Sequence, residues 1–259
     1  MRFALYYTPQ PFSLLSEIGC KWLGRDALAQ KRIEQDHFTG IKRYRIAEIT
    51  RIPRRYGLHA TLKAPFSLAT DRNEDELRSA INEFAAGWHP FSTSPLVLRQ
   101  INDFFCLCPE TQSSRLDTLA KACVQKFDSF RAPLTRLELA HRRAEILTDF
   151  QKQNLANWGY PHVLNEYRFH ITLTGKIIDI SEKNIIRSLL LDVFAPVLGK
   201  PLVIESVCLF VEPANGQPFV YSEHFPFNAL SQTTGDGIRI DTPGILNENR
   251  NISEPNPNI

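Results

Sequence analysis

Two short stretches of this chain carry the residue types that acid–base chemistry on a phosphate ester requires. Tyr56-Gly57-Leu58-His59-Ala60-Thr61-Leu62-Lys63 and Tyr167-Arg168-Phe169-His170-Ile171-Thr172-Leu173-Thr174 align in register with four identities in eight, and their histidines lie 111 residues apart. Such a repeat predicts two related halves, each contributing one copy. Read as strands, side chains two apart share a face. His59 and Thr61 then point together, as do His170 and Thr172, while Leu58, Ala60, Leu62, Phe169, Ile171 and Leu173 face a core. Continuing the even steps adds Lys63 in the first copy and Arg168 and Thr174 in the second, so the polar face is complementary to an anion.

In-line displacement at a phosphodiester needs a base on the incoming nucleophile and an acid on the departing oxygen, on opposite sides of phosphorus. Imidazole serves both roles near neutral pH because its ordinary pKa is about 6.5. The sequence does not assign base and acid between His59 and His170. Thr61 and Thr172 are expected to donate hydroxyl hydrogen bonds to non-bridging oxygens, and Lys63 and Arg168 to offset charge. A zinc or iron centre needs three or four ligands, and no further His, Asp or Glu shares the polar face of either octad, so no metal and no cofactor is expected. Tyr56 and Tyr167, an odd step from their histidines, are expected to face away. Tyr6, Phe219 and Tyr221 read as core aromatics, and the other histidines show no partner pattern.

Two H-x-T-Φ motifs (Φ hydrophobic), His59-Ala60-Thr61-Leu62 and His170-Ile171-Thr172-Leu173, resemble those of the two-histidine (2H) phosphoesterase superfamily. The flanks YGLHATLKAPF and YRFHITLTGKI, with TRLELAHRRAEILTDFQKQNLANWGYPHV between them, resemble the branch associated with bacterial phosphonate-utilisation operons. The likeness covers about residues 1 to 228. It implies an α+β fold of two pseudo-symmetric lobes whose antiparallel sheets line a central cleft, one motif from each. It also implies a metal-independent phosphodiesterase acting on a small cyclic phosphate, either a nucleoside 2′,3′-cyclic phosphate or a phosphoribosyl cyclic phosphate. RNA-end processing or 2′-5′ ligation is the alternative, and a non-catalytic nucleotide-binding module a third.

The elements that must position these residues follow from patterning. Arg2–Thr8 and Tyr56–Leu62 read as strands. Asp71 is placed to cap a helix bearing Leu77, Ile81 and Phe84. Pro95–Leu107 reads as strand interrupted near Asn102-Asp103, and Ser113–Phe130 as a helix. Thr148-Asp149 starts a helix that Gly159 and Pro161 end. Glu166–Thr174 is expected as strand, Ser181 as the cap of a helix bearing Ile186 and Leu190, and 202–211 and 218–221 as strands. Residues 12–50 carry no clear pattern.

With 43% hydrophobic and 22% charged residues the chain is of globular type. A net charge of +2 draws it to neither nucleic acid nor membrane as a whole. Arg51, Arg54 and Arg55 with Lys42 and Arg43 form the one basic run that could track RNA ends. Five cysteines without a CxxC pair, no signal-like apolar opening and no membrane-length run point to a cytoplasmic protein, with a monomer plausible. One domain is expected over 1–228. Residues 229–259, poor in large apolar side chains and containing an Asn251-Ile252-Ser253 sequon match, are expected as a disordered tail.

Overall fold

The first strand, β1 (Arg2–Tyr7), alternates strictly: Phe3, Leu5 and Tyr7 enter one apolar cluster, and Ala4 and Tyr6 enter a second on the opposite side of the sheet. The computed structural model describes residues 1–143 and 146–228; the tail and its sequon lie outside the described residues. After β1 come α1 (Leu14–Leu23), a short hairpin of β2 (Arg25–Asp26) and β3 (Lys31–Arg32), α2 (Arg43–Ile49) and α3 (Arg51–Tyr56). Thus residues 12–50, where the pattern was silent, hold two helices. Ser13 caps α1 and Gly24 ends it in the left-handed conformation.

The first motif strand is β4 (Ala60–Phe66), followed by α4 (Glu74–Ala86), the long hairpin β5 (Phe91–Ile101) and β6 (Phe104–Pro109), and α5 (Ser114–Lys126). The hairpin turns where expected, with Asn102 at φ 50°. Helix α4 starts two residues later than expected, from an Asn73 capping box with Glu76. Next are α6 (Arg136–Arg143) and α7 (Asp149–Trp158), the latter opened by the Thr148 capping box and closed by Gly159 as expected. The second motif strand, β7, is only Ile171–Thr172, preceded by a 3-10 turn at Leu164–Glu166. Then follow α8 (Ile180–Phe194), capped by Asp179 and not Ser181, β8 (Pro201–Ile204), β9 (Ser206–Glu212) and β10 (Val220–Pro226).

These strands form one sheet in the order β10-β9-β1-β4-β7-β6-β5-β8, with every named pairing antiparallel. The two expected halves are there, four strands each, with motif strands β4 and β7 innermost and each followed by a long helix. They join through one residue pair, Ala60 with Ile171, the positions just after the two histidines. The pseudo-twofold relation of the repeat is therefore written in the register. The fold is α+β, and its two four-stranded sheets are continuous across that pair. Helices α4, α5 and α8 cover one face through Leu77, Ile81, Leu116, Leu119, Ile186 and Leu190, all buried. The motif side chains emerge on the other.

Two expected strands are corrected. Tyr56 closes α3, and Glu166–His170 is a turn and an extended segment, so each histidine stands just before its strand. Gly57, at φ 81° and ψ 179°, occupies backbone space that only glycine enters cheaply, and a Cβ there would meet Ala27 Cβ at 2.7 Å. A regular strand cannot pass through that point.

Candidate active site

Each motif sets its imidazole by the same local contact. His59 Nδ1 lies 3.0 Å from the carbonyl oxygen of Gly57, and His170 Nδ1 lies 2.8 Å from that of Arg168, two residues back in both copies. A carbonyl only accepts, so Nδ1 carries the proton and donates, leaving Nε2 of both rings as the reactive atom. The turns that precede the strands thus select the tautomer.

The antiparallel pair Ala60–Ile171 sets the rest. One step to either side puts His59 opposite Thr172 and Thr61 opposite His170, all on the face that Ala60, Leu62, Ile171 and Leu173 leave for the buried core. Thr61 Oγ1 is 3.4 Å from His59 Nε2. The four predicted residues form a quartet of two imidazoles and two hydroxyls, each half-buried. Burial lowers the His59 pKa to about 4; the Gly57 carbonyl works against this and the nearby charge of His170 adds to it. Burial also lowers His170, the Arg168 carbonyl opposing and His162 reinforcing the shift. Both shifts favour the neutral ring.

An aromatic wall backs His59. Tyr6, buried, lies with its ring centroid 3.9 Å from the imidazole, and Tyr56 lies 5.9 Å away while stacking on Phe219 at 5.1 Å. The expectation that Tyr56 faces away is overturned, because the helix end and Gly57 break the period-two rule on which it rested. Tyr6 and Phe219 are core aromatics as expected, and Tyr221 meets Phe210 edge-on at 5.6 Å. Phe104 approaches His170, centroids 5.7 Å apart.

Three further candidates are placed differently. A bulge in β4 sets Leu5 opposite Lys63 but Tyr6 opposite Thr61, so two residues of β4 face one step of β1. The slip turns Lys63 to the helix-covered side, where its ammonium donates to the Val124 carbonyl at 3.1 Å and lies 3.5 Å from Asp128. Burial lowers its pKa to about 8, with Asp128 opposing. Lys63 does not join the quartet. Nor does Thr174: β7 ends at Thr172, and the buried Thr174 hydroxyl accepts the Phe105 backbone N–H at 2.9 Å. Arg168 contributes its carbonyl to His170, and its side chain is exposed.

The basic run is largely consumed by structure. Arg54 donates to Leu23 O, Gln35 and Thr50, Arg55 reaches Glu212 and Gln217 O, and Arg43 pairs with Glu34.

The sequence missed the segment that flanks the site between the motifs. His162 comes close enough to His170 to act on its ionisation, and Tyr160 does the same to Tyr6. Their rings meet edge-on at 5.7 Å, and the Arg142 guanidinium lies 5.2 Å over Tyr160. These residues share no spacing with either octad, so only the resemblance of the stretch as a whole marked them. Among the described residues no group of three His, Cys, Asp or Glu is placed to hold a metal ion. All five cysteines are free, and among the described residues no helix is long and apolar enough to cross a membrane.

Fold and paired motifs define the class as an α+β protein with one H-x-T-Φ motif in each of two matched halves. The model of the family described as "Protein of unknown function (DUF1045)" matches residues 61–220, and the chain belongs to that family. Two curated relatives carry the printed name ribose 1,5-bisphosphate phosphokinase PhnN. That of Janthinobacterium sp. (strain Marseille) is 36% identical over 245 residues, 93% of this chain and 53% of the relative. That of Laribacter hongkongensis (strain HLHK9) is 32% identical over 221 residues, 85% of this chain and 50% of the relative. The chain spans about half the length of these relatives. Solved structures similar to it include a phosphoesterase (TM-score 0.39, 12% identity, 87% of this chain, 98% of that one) and E. coli LigT complexed with 3′-AMP (0.40, 12%, 87% and 97%). Likeness of that size says nothing about chemistry.

Proposed function

We propose that this protein is a phosphodiesterase that opens a cyclic phosphate on a phosphorylated ribose by paired imidazole catalysis, without a metal. The single observation behind the proposal is the cross-strand quartet, which sets two Nε2 atoms and two hydroxyls on one face about a pseudo-twofold axis. His59, its ring centroid 3.9 Å from that of Tyr6 and its pKa lowered to about 4 by burial, is the base that takes a proton from water. His170, less shifted, regains a proton beside the anionic ester and delivers it to the departing oxygen. Thr61 and Thr172 donate to the non-bridging oxygens.

The substrate class is drawn from the relatives. Water adding to phosphorus in a 5-phosphoribosyl 1,2-cyclic phosphate, with cleavage of the bond to O2, yields ribose 1,5-bisphosphate and a free 2-hydroxyl. That product is the compound in the relatives' printed name, and they carry a further length of chain beside the matched half. Nucleoside 2′,3′-cyclic phosphates present the same five-membered ester without the second phosphate. The RNA-end alternative has less support, since Arg43, Arg54 and Arg55 are already paired or bonded. Incubating the purified chain with both cyclic esters and following phosphorus by NMR tests the reading. Conversion of the phosphoribosyl ester to ribose 1,5-bisphosphate is expected; an inert ester in both cases rejects it.

A further inference from the structure

We propose that Arg142 forms a second anion site at the end of the cleft, receiving the remote 5-phosphate of a bisphosphorylated sugar, an inference that rests on the reading above. The place is created by topology. Because β7 pairs with β4 only at Ala60, the edge of β4 beyond it has no strand neighbour on that side among the described residues, and Arg131, Arg142, Gly159 and Val163 lie alongside. Arg142, on α6, reaches the Pro65 carbonyl of that edge at 3.5 Å, donates to the Gly159 carbonyl and lies over Tyr160.

None of those contacts carries a counter-charge. Among the described residues Arg142 makes no ion pair, although it is largely withdrawn from solvent. Glu138, one turn earlier, acts on Arg142 only through space, its carboxylate accepting the Thr135 N–H at 2.9 Å and the Thr135 hydroxyl at 2.8 Å. Its cationic neighbours hold their own carboxylates: Arg131 pairs with Asp128, and Arg2 with Glu212, which Arg55 also shares. A guanidinium stays charged under any such burial, and taking it from water without a carboxylate is costly unless an anion completes it. Its planar fork fits two oxygens of a phosphate. Arg142 lies over Tyr160, Tyr160 is near enough to Tyr6 to act on its ionisation, and the Tyr6 ring is 3.9 Å from that of His59. A ligand anchored at Arg142 by one phosphate has the other directed toward the histidines.

Ribose 5-phosphate, which carries the remote phosphate and no cyclic ester, is the direct probe. Calorimetric titration into the full chain should show binding, weakened roughly 10- to 100-fold in Arg142→Gln, the fold-change expected of a charge-assisted hydrogen bond. Arg142→Lys, which keeps charge but loses the fork, should fall between. A wild-type chain that ignores ribose 5-phosphate, or an Arg142→Gln chain that binds it undiminished, overturns the proposal. Should the glutamine variant melt early, the lysine variant decides by the same comparison. In turnover, Arg142→Gln should raise KM for 5-phosphoribosyl 1,2-cyclic phosphate while leaving ribosyl 1,2-cyclic phosphate unchanged; equal loss on both overturns the site. Retained ribose 5-phosphate binding in a wild-type chain that hydrolyses neither ester would instead sink the functional reading and leave this site standing.

Discussion

His59 and His170 are chemically equivalent in the octads and inequivalent in their surroundings. Replacing either by alanine should lower turnover by roughly 10²- to 10⁴-fold, the usual contribution of a positioned acid or base, with melting temperatures close to wild type because both rings are half-exposed. Turnover surviving in either variant would dismiss the pair. The pH dependence has a definite sign. kcat/KM needs a neutral base and a protonated acid in the free enzyme, so it should fall below the His59 pKa of about 4 and fall again above that of His170, itself below 6.5. The profile is a bell with its maximum on the acid side of 6.5, and a rate climbing through neutrality would contradict it. The same shifts govern stability: between about 4 and 6.5 the unfolded chain binds more protons than the folded one. Stability is therefore full above 6.5 and is lost as pH falls toward 4, a slope that His59→Ala should flatten in urea titrations.

At the scale of elements, three local irregularities decide which side chains reach the cleft. Gly57 carries the chain from α3 into β4 with a conformation that disfavours any Cβ. Gly57→Ala should cost about 1–3 kcal/mol in denaturant unfolding and also lower kcat, since the carbonyl that orients His59 moves with it. Undiminished kcat would show that the turn does not position the ring. The β4 bulge withdraws Lys63, and the early end of β7 gives Thr174 to Phe105. Thr174→Val leaves a buried N–H without its acceptor, so a stability loss of about 1–3 kcal/mol with kcat retained is expected from paired melts and assays. The alternation rule describes the placing of His59, Thr61, His170 and Thr172 because they lie within one residue of the central pair, where strand geometry holds. It failed for Tyr56, Lys63 and Thr174, each beyond a glycine turn, a bulge or a strand end, which period-two reasoning does not register.

For the molecule as a whole, the halves meet through one pair of equivalent residues, so one phosphorus centre can be addressed from both. No metal has a part in this scheme, and EDTA should leave the rate of cyclic ester opening unchanged; a loss restored by a divalent ion would require a different mechanism. Helices in residues 12–50 were hidden from patterning because their burial comes from packing on the far sheet face, as when Trp22 donates to the Leu173 carbonyl at 2.8 Å.

What the chain determined by itself was the chemistry on offer: a duplicated strand motif places His and Thr on one face wherever backbone periodicity is intact, and the duplication demands a symmetric partner. The tertiary structure alone decided which atom of each ring is presented, that Lys63 is drawn to the core side, and that Arg142 has no ion pair among the described residues. Those properties depend on carbonyls, bulges and segments brought together from distant parts of the chain, and desolvation acts on a three-dimensional neighbourhood that linear spacing does not encode.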